Sequence, residues 1–168
     1  MSVVIRSEQP ADVVSISRLT EAAFRDHEHS SHTEQFIVDG LRRAGALTVS
    51  LVAVENESIV GHVAVSPVTI SSGATGWYGL GPISVLPESQ GQGIGSQLMD
   101  AALADLRQLG ARGCVVLGDP GYYGRFGFRA HPGLELPGVP AEYFQAVSFG
   151  GALPTGTVRY HDAFDATE

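Results

Sequence analysis

Gly91, Gly93 and Gly95 stand at every second position of Leu-Pro-Glu-Ser-Gln-Gly-Gln-Gly-Ile-Gly-Ser-Gln-Leu-Met, residues 86–99. Glycine removes the side chains that hold a ligand away from the backbone, and the first N–H groups of a helix have no partners within it. A strand, a bare loop and a helix start together make the general geometry for an anion, so the amides of Gly91 to Ser96 can converge on one or two phosphates. Taken alone, the spacing fits a tightly packed turn equally well. A dinucleotide fingerprint needs glycine where Ser96 stands, and it needs the first strand of a βαβ unit, whereas three or four strands precede this loop. A nucleotide P-loop needs a Gly-Lys-Ser/Thr that appears nowhere in the chain.

Other residues with chemical potential read more plainly. His27, His29 and His32 cluster in His-Glu-His-Ser-Ser-His, but not at the helical spacing of zinc ligands, so no metal is expected and a solvated loop is. Cys114 is the single cysteine, which excludes intrachain disulfides and thiolate clusters. Its apolar setting, Cys-Val-Val-Leu, reads as a buried, inert thiol. His62 and His131 read as structural polar residues, and His161 falls in a strand.

The elements that must position the loop follow from periodicity. Val3–Arg6 reads as a first strand. Ile16, Leu19 and Ala23 share one face of a helix opened by Pro10 or Ala11. A second helix over His32–Arg43 turns Phe36, Ile37 and Leu41 inward and ends at Gly45. Two Val-rich runs joined by Asn56-Glu57 read as a hairpin, with an edge or bulge at Pro67. A strand over Trp77–Pro87, broken at Gly81-Pro82, leads into the loop. The helix beyond carries Leu98, Ala102, Leu106 and Leu109 as its apolar stripe and stops at Gly110. Gly113–Asp119 reads as a buried strand, and Pro120–Phe128 as a short helical turn into another strand. In the Gly- and Pro-rich tail, Pro140–Phe144 reads as a helical turn and Gly156–Phe164 as a final strand.

At 168 residues, with 43% hydrophobic and 17% charged content, the chain is expected to form one globular domain spanning 1–168. A formal charge of −8 argues against nucleic-acid binding. The first nine residues have no apolar signal core, and no run approaches the ~18 apolar residues of a membrane span. A cytoplasmic protein without a membrane partner is therefore expected.

The stretch Ile83-Ser84-Val85-Leu86-Pro87 through Met99 resembles the acetyl-CoA signature of the GNAT N-acetyltransferase superfamily, Gln/Arg-x-x-Gly-x-Gly/Ala, with Gln90, Gly93 and Gly95 at the matching positions. A second mark is Tyr122-Tyr123-Gly124-Arg125-Phe126-Gly127-Phe128, similar to the family's aromatic-Tyr-x-x-x-Gly-Phe block. The likeness covers residues 3 to about 130 and is nearest to the bacterial YhbS-like branch. It implies an α/β (α+β) fold, a mixed sheet of six to seven strands flanked by about four helices. It also implies an N-acetyltransferase moving an acetyl group from acetyl-CoA to a primary amine of a small molecule or protein. Gln90, Gly91, Gln92, Gly93, Ile94, Gly95 and Ser96 would hold the pyrophosphate, and Ile83, Ser84 and Val85 would pair with the pantetheine arm. Tyr123 matches the family's general acid, while Tyr122 and Phe126 read as packing aromatics. Some relatives carry a glutamate base on the strand before the loop, but Trp77–Val85 has no carboxylate. His27, Glu28, Glu34 and Asp119 are the candidate bases. A homodimer is compatible with the resemblance. The competing reading is a non-catalytic acyl-CoA-binding sensor or regulatory module.

Overall fold

The computed structural model describes residues 2–25, 30 and 32–166. Strand β1 (Val4–Ser7) leads through a 3-10 turn (Pro10–Asp12) into α1 (Val13–Phe24), followed by α2 (Glu34–Arg43). Then come β2 (Val49–Glu55), β3 (Ser58–Pro67), β4 (Thr69–Ile70) and β5 (Trp77–Val85). Helix α3 (Ile94–Gln108), β6 (Gly113–Leu117) and the short α4 (Pro120–Tyr123) follow. The tail adds β7 (Leu134–Glu135), β8 (Phe144–Ser148), β9 (Gly156–Arg159) and a 3-10 turn over Asp162–Asp165. Among the described residues no helix is long and apolar enough to cross a membrane.

Six strands form one mixed sheet in the order β1-β2-β3-β5-β6-β8, and β4-β9-β7 form a small second sheet. Asn56 and Glu57 take φ of 51° and 67°, the left-handed pair that a two-residue hairpin needs between β2 and β3. Helix α3 covers one face with Ile94, Leu98, Met99, Ala102, Leu103 and Leu106 over Leu51, Val63, Val65 and Val116. Ile16 of α1 and Val38 of α2 cover the other face over Val52 and Ala64.

Several expectations shift at element ends. Leu109 is not part of the α3 stripe: it caps the helix and is 47% exposed, while Met99 and Leu103 face inward. In α2, Val38 is buried where Phe36 is only partly so. No strand forms directly after Phe126: Gly124–Phe126 is a 3-10 turn, and Arg129 makes only an isolated bridge to Ala146.

The decisive feature lies between β5 and β6. They pair in parallel only at Trp77↔Gly113, Tyr78↔Cys114 and Gly79↔Val115. Beyond that point β5 pairs only with β3, and β6 only with β8, so the two strands part. The register of β3 on β5 shifts between Val63 and Val65, opposite Gly81-Pro82. Pro82 has no N–H to give a neighbouring strand, and a bulge turns the strand away from its former partner.

Candidate active site

The loop leaving β5 makes a 3-10 turn at Pro87–Ser89 and then reaches α3 through two left-handed glycines, Gly91 (φ 79°) and Gly93 (φ 82°). Side chains rarely tolerate this backbone, and a Cβ on either residue would point into open space. Gly93 is also the N-cap of α3 and supplies no side-chain cap, so the first amides of the helix are left for another partner. Gln90 stabilises the loop from behind, its carboxamide donating to the Val85 carbonyl at 3.1 Å.

A cleft of about 630 Å³ opens over this loop. Of the residues singled out from sequence, it brings together Ile83, Val85, Gln90, Gly91, Gly93, Ile94, Gly95 and Ser96, and it adds Ser89, Tyr122 and Arg125. Ser84 and Gln92 do not line it. Strand alternation turns Ser84 to the opposite face, where it is buried, and Gln92 is exposed outside the cleft. Arg125 is the only cation among the described lining residues. Its guanidinium lies 4.6 Å from the centre of the Tyr122 ring, which holds the charge beside the loop.

Tyr123 stands behind Tyr122 rather than in this cleft, edge-on to it at 5.0 Å and to Phe128 at 6.1 Å. It packs over Gly118, the residue after β6, where a Cβ would sit 2.6 Å from the Tyr123 ring. That puts it on the β6 side of the opening. Burial pushes its hydroxyl pKa up to about 12, with Tyr122 and Asp119 adding to the rise. The phenol is therefore a proton donor throughout the neutral range.

At the point where the strands part, Tyr160 lies over Gly79, with no room for a Cβ between them. Tyr160 stacks on Phe164 at 4.9 Å, and Ala163 and Phe164 pack against α2. Burial raises the Tyr160 pKa strongly, with Cys114 and Tyr123 contributing. Cys114 is fully buried, and burial raises its pKa too, as an inert thiol requires.

The candidate bases distribute differently. His27 and Glu28 lie outside the described residues, as does His29. Asp119 caps α4, accepting from Gly121 N at 2.9 Å, and Glu34 accepts from Ser30 Oγ at 2.8 Å. Neither lines the cleft. His161 caps the last 3-10 turn through Nδ1. No group of metal-ligating side chains occurs among the described residues. Sequence reading passed over Arg125, signalled by a cation three residues after Tyr122, and took His62, inside a valine-rich strand, as a structural polar residue.

A parted sheet with a bare loop and an uncapped helix start at its opening has the shape and the free amides to receive an extended, anion-bearing ligand. The model of the acetyltransferase (GNAT) family matches residues 13–128, and the chain belongs to that family. It is 36% identical to the uncharacterized N-acetyltransferase YhbS of Escherichia coli K12, over 96% of this chain and 98% of that one. A GNAT family acetyltransferase from Brucella melitensis, solved in complex with acetyl-CoA, superposes with a TM-score of 0.88 at 52% identity, covering 98% and 99% of the two chains. The Escherichia coli YhbS structure in complex with CoA gives 0.86 at 35% identity, covering 99% and 93%.

Proposed function

We propose that this chain is an acetyl-CoA-dependent N-acetyltransferase acting on a primary amine of a small molecule or protein. The observation that carries the reading is the continuity of the glycine cleft with the unpaired edge of β5. The site fits the carrier chemically: free helix-start amides and Arg125 face a pyrophosphate, and the open space over Gly91 and Gly93 admits its oxygens. On the side that β6 has left, the β5 backbone from Ile83 to Val85 has no strand partner and, apart from the Val85 carbonyl that Gln90 holds, offers the pantetheine amides its remaining groups. Bound there, acetyl-CoA supplies an activated acetyl group.

The chain's own residues do the rest. A backbone amide of β5 at the bulge polarises the acetyl carbonyl. Tyr123, on the β6 side, donates a hydrogen bond to the departing sulfur. Its high pKa makes complete transfer to a thiolate of pKa ~8.5 uphill, so its contribution is donation to developing charge. Gln90 acts from behind by holding the loop to β5.

Thermal unfolding with added acetyl-CoA, against NAD and ATP as controls, tests the cofactor. Stabilisation by acetyl-CoA alone is expected, about 2.7 kcal/mol at 100 times the dissociation constant. Absence of a shift at millimolar acetyl-CoA removes the assignment. Tyr123→Phe should bind acetyl-CoA normally and release thiol at least about tenfold more slowly. Unchanged turnover would dismiss Tyr123 as the acid. Binding without turnover on any amine would favour the sensor reading instead.

A further inference from the structure

The space along β5 changes abruptly where β6 leaves it. Ile83 and Val85 line the glycine cleft. Nearer the fork, a Cβ on Gly81 would meet nothing within 4 Å. A Cβ on Gly79, two residues further, would run into the Tyr160 ring. Gly79 is the last residue of β5 that β6 holds, opposite Val115. Tyr160 also lines a separate cavity of about 390 Å³ with Leu136, Pro137, Val158, His161 and Phe164. The open run of β5 thus ends at one aromatic ring, with further room beside it.

The cleft and Tyr160 lie on opposite faces of the sheet. Leu80 and Ile83 both pack with α3, because the bulge at Gly81-Pro82 reverses the strand alternation, whereas Tyr160 packs with Trp77 and Val115 on the other face. Elsewhere paired backbone keeps the faces apart. Beyond Gly79↔Val115 nothing pairs β5 with β6, so the faces meet through the fork. Packing on the Tyr160 face stops at the same level: Val115 is fully buried, while Leu117, two residues on, is 45% exposed. Tyr123 packs with the α3-side cluster, yet it lies close enough to Tyr160 to raise the Tyr160 pKa. The two phenols therefore approach the fork from opposite faces. Tyr160 is braced there by its stacking on Phe164, which packs with Ile37 and Leu41 of α2.

We infer that Tyr160 is the acyl-length specificity residue, its ring closing the fork to acyl groups longer than acetyl. The inference rests on the acetyl-CoA reading above. An arm laid along β5 from the glycine loop brings its thioester to the bulge, beside Tyr123, and its acyl end then points to the apex of the fork at Gly79. An acetyl methyl ends in the open space over Gly81. Each further methylene of a propionyl or butyryl group is driven against a braced ring, and a packed wall resists added volume. Cutting Tyr160 back to a methyl group joins the fork to the cavity of about 390 Å³ and gives the longer chain somewhere to lie.

Titration calorimetry with CoA, acetyl-CoA, propionyl-CoA and butyryl-CoA measures this without an acceptor amine. Wild type should bind butyryl-CoA at least about tenfold more weakly than acetyl-CoA, with propionyl-CoA between, as one or two methylenes discriminate in a closed pocket. Tyr160→Ala should remove that gap, and Tyr160→Phe, which keeps the ring, should retain it. CoA has no acyl group and serves as the control, since a variant that merely loosened the fold would weaken CoA as well. Tyr160→Leu, expected to narrow the gap, takes the place of Tyr160→Ala should that variant fold poorly. A wild type that binds the three acyl-CoAs equally overturns the wall and leaves the cofactor reading standing. So does a full gap in the folded alanine or leucine variant, or an equal weakening of all four ligands. A wild type that binds neither CoA nor acetyl-CoA defeats the cofactor reading, and the wall with it.

Discussion

Gly93 and Gly95 look alike in the sequence, yet their positions make different demands. Gly93 needs its left-handed φ of 82°, so any side chain there strains the backbone, at about 1–3 kcal/mol, whatever happens to ligand. Gly95 has ordinary helical backbone, and a Cβ would lie 2.9 Å from the Tyr122 hydroxyl at the cleft wall. Gly95→Val is the cleaner probe. It should weaken acetyl-CoA at least about tenfold by titration calorimetry while Tm changes by only a few degrees. Normal affinity in that folded variant would detach the loop from the cofactor. At this scale, spacing made the bare loop of Gly91 and Gly93 before a helix legible, because a glycine run ahead of an apolar stripe can form few structures. Strand alternation already separates Ser84 from Ile83 and Val85. The pairing of the buried His62 with Ser50, and through it with Glu8, was not legible, because these residues meet only across strands.

At the scale of elements, the opening between β5 and β6 is held by parts distant in sequence. The hairpin, α1 and α3 declared themselves by periodicity, since each buries a face against the sheet. Strand β8 did not, because Phe-Gln-Ala-Val-Ser lies in a Gly- and Pro-rich tail and becomes a strand only by pairing with β6. The three-stranded sheet is likewise a tertiary product of very short strands. Its last strand delivers Tyr160 onto Gly79, which fills the space at the fork. Gly79→Ala should therefore displace Tyr160 and cost about 1–3 kcal/mol, a fall of several degrees in Tm. Gly79→Ala together with Tyr160→Ala should regain part of that loss. A Gly79→Ala protein as stable as wild type would show that the C-terminal segment does not brace the fork.

For the whole molecule, the buried His62, joined through Ser50 to Glu8 and Arg42, predicts how stability follows acidity. The folded-state pKa of His62 lies near 4, below its usual value of about 6.5. Its contribution is complete above pH ~6.5 and is lost as the pH falls toward 4, because the unfolded chain takes the proton first. Glu8 and Asp12 are also depressed, the latter chiefly by Arg6, so their contributions fade at lower pH still. Tm should drop between about pH 6.5 and 4 and then further, and His62→Gln should flatten the upper part alone. An unchanged upper slope in His62→Gln would deny His62 that part.

The fork between β5 and β6 has a further consequence. A length of β5 beyond Gly79 carries unpaired amides and carbonyls, as a sheet edge does. A stray strand from a second molecule meets the same row of groups as pantetheine. The carrier would then protect the protein against its own aggregation, much as a small-molecule chaperone shields a client. Light scattering on prolonged warm incubation should fall with acetyl-CoA, and it should fall less with a nucleotide fragment that fills the glycine loop but lacks the arm.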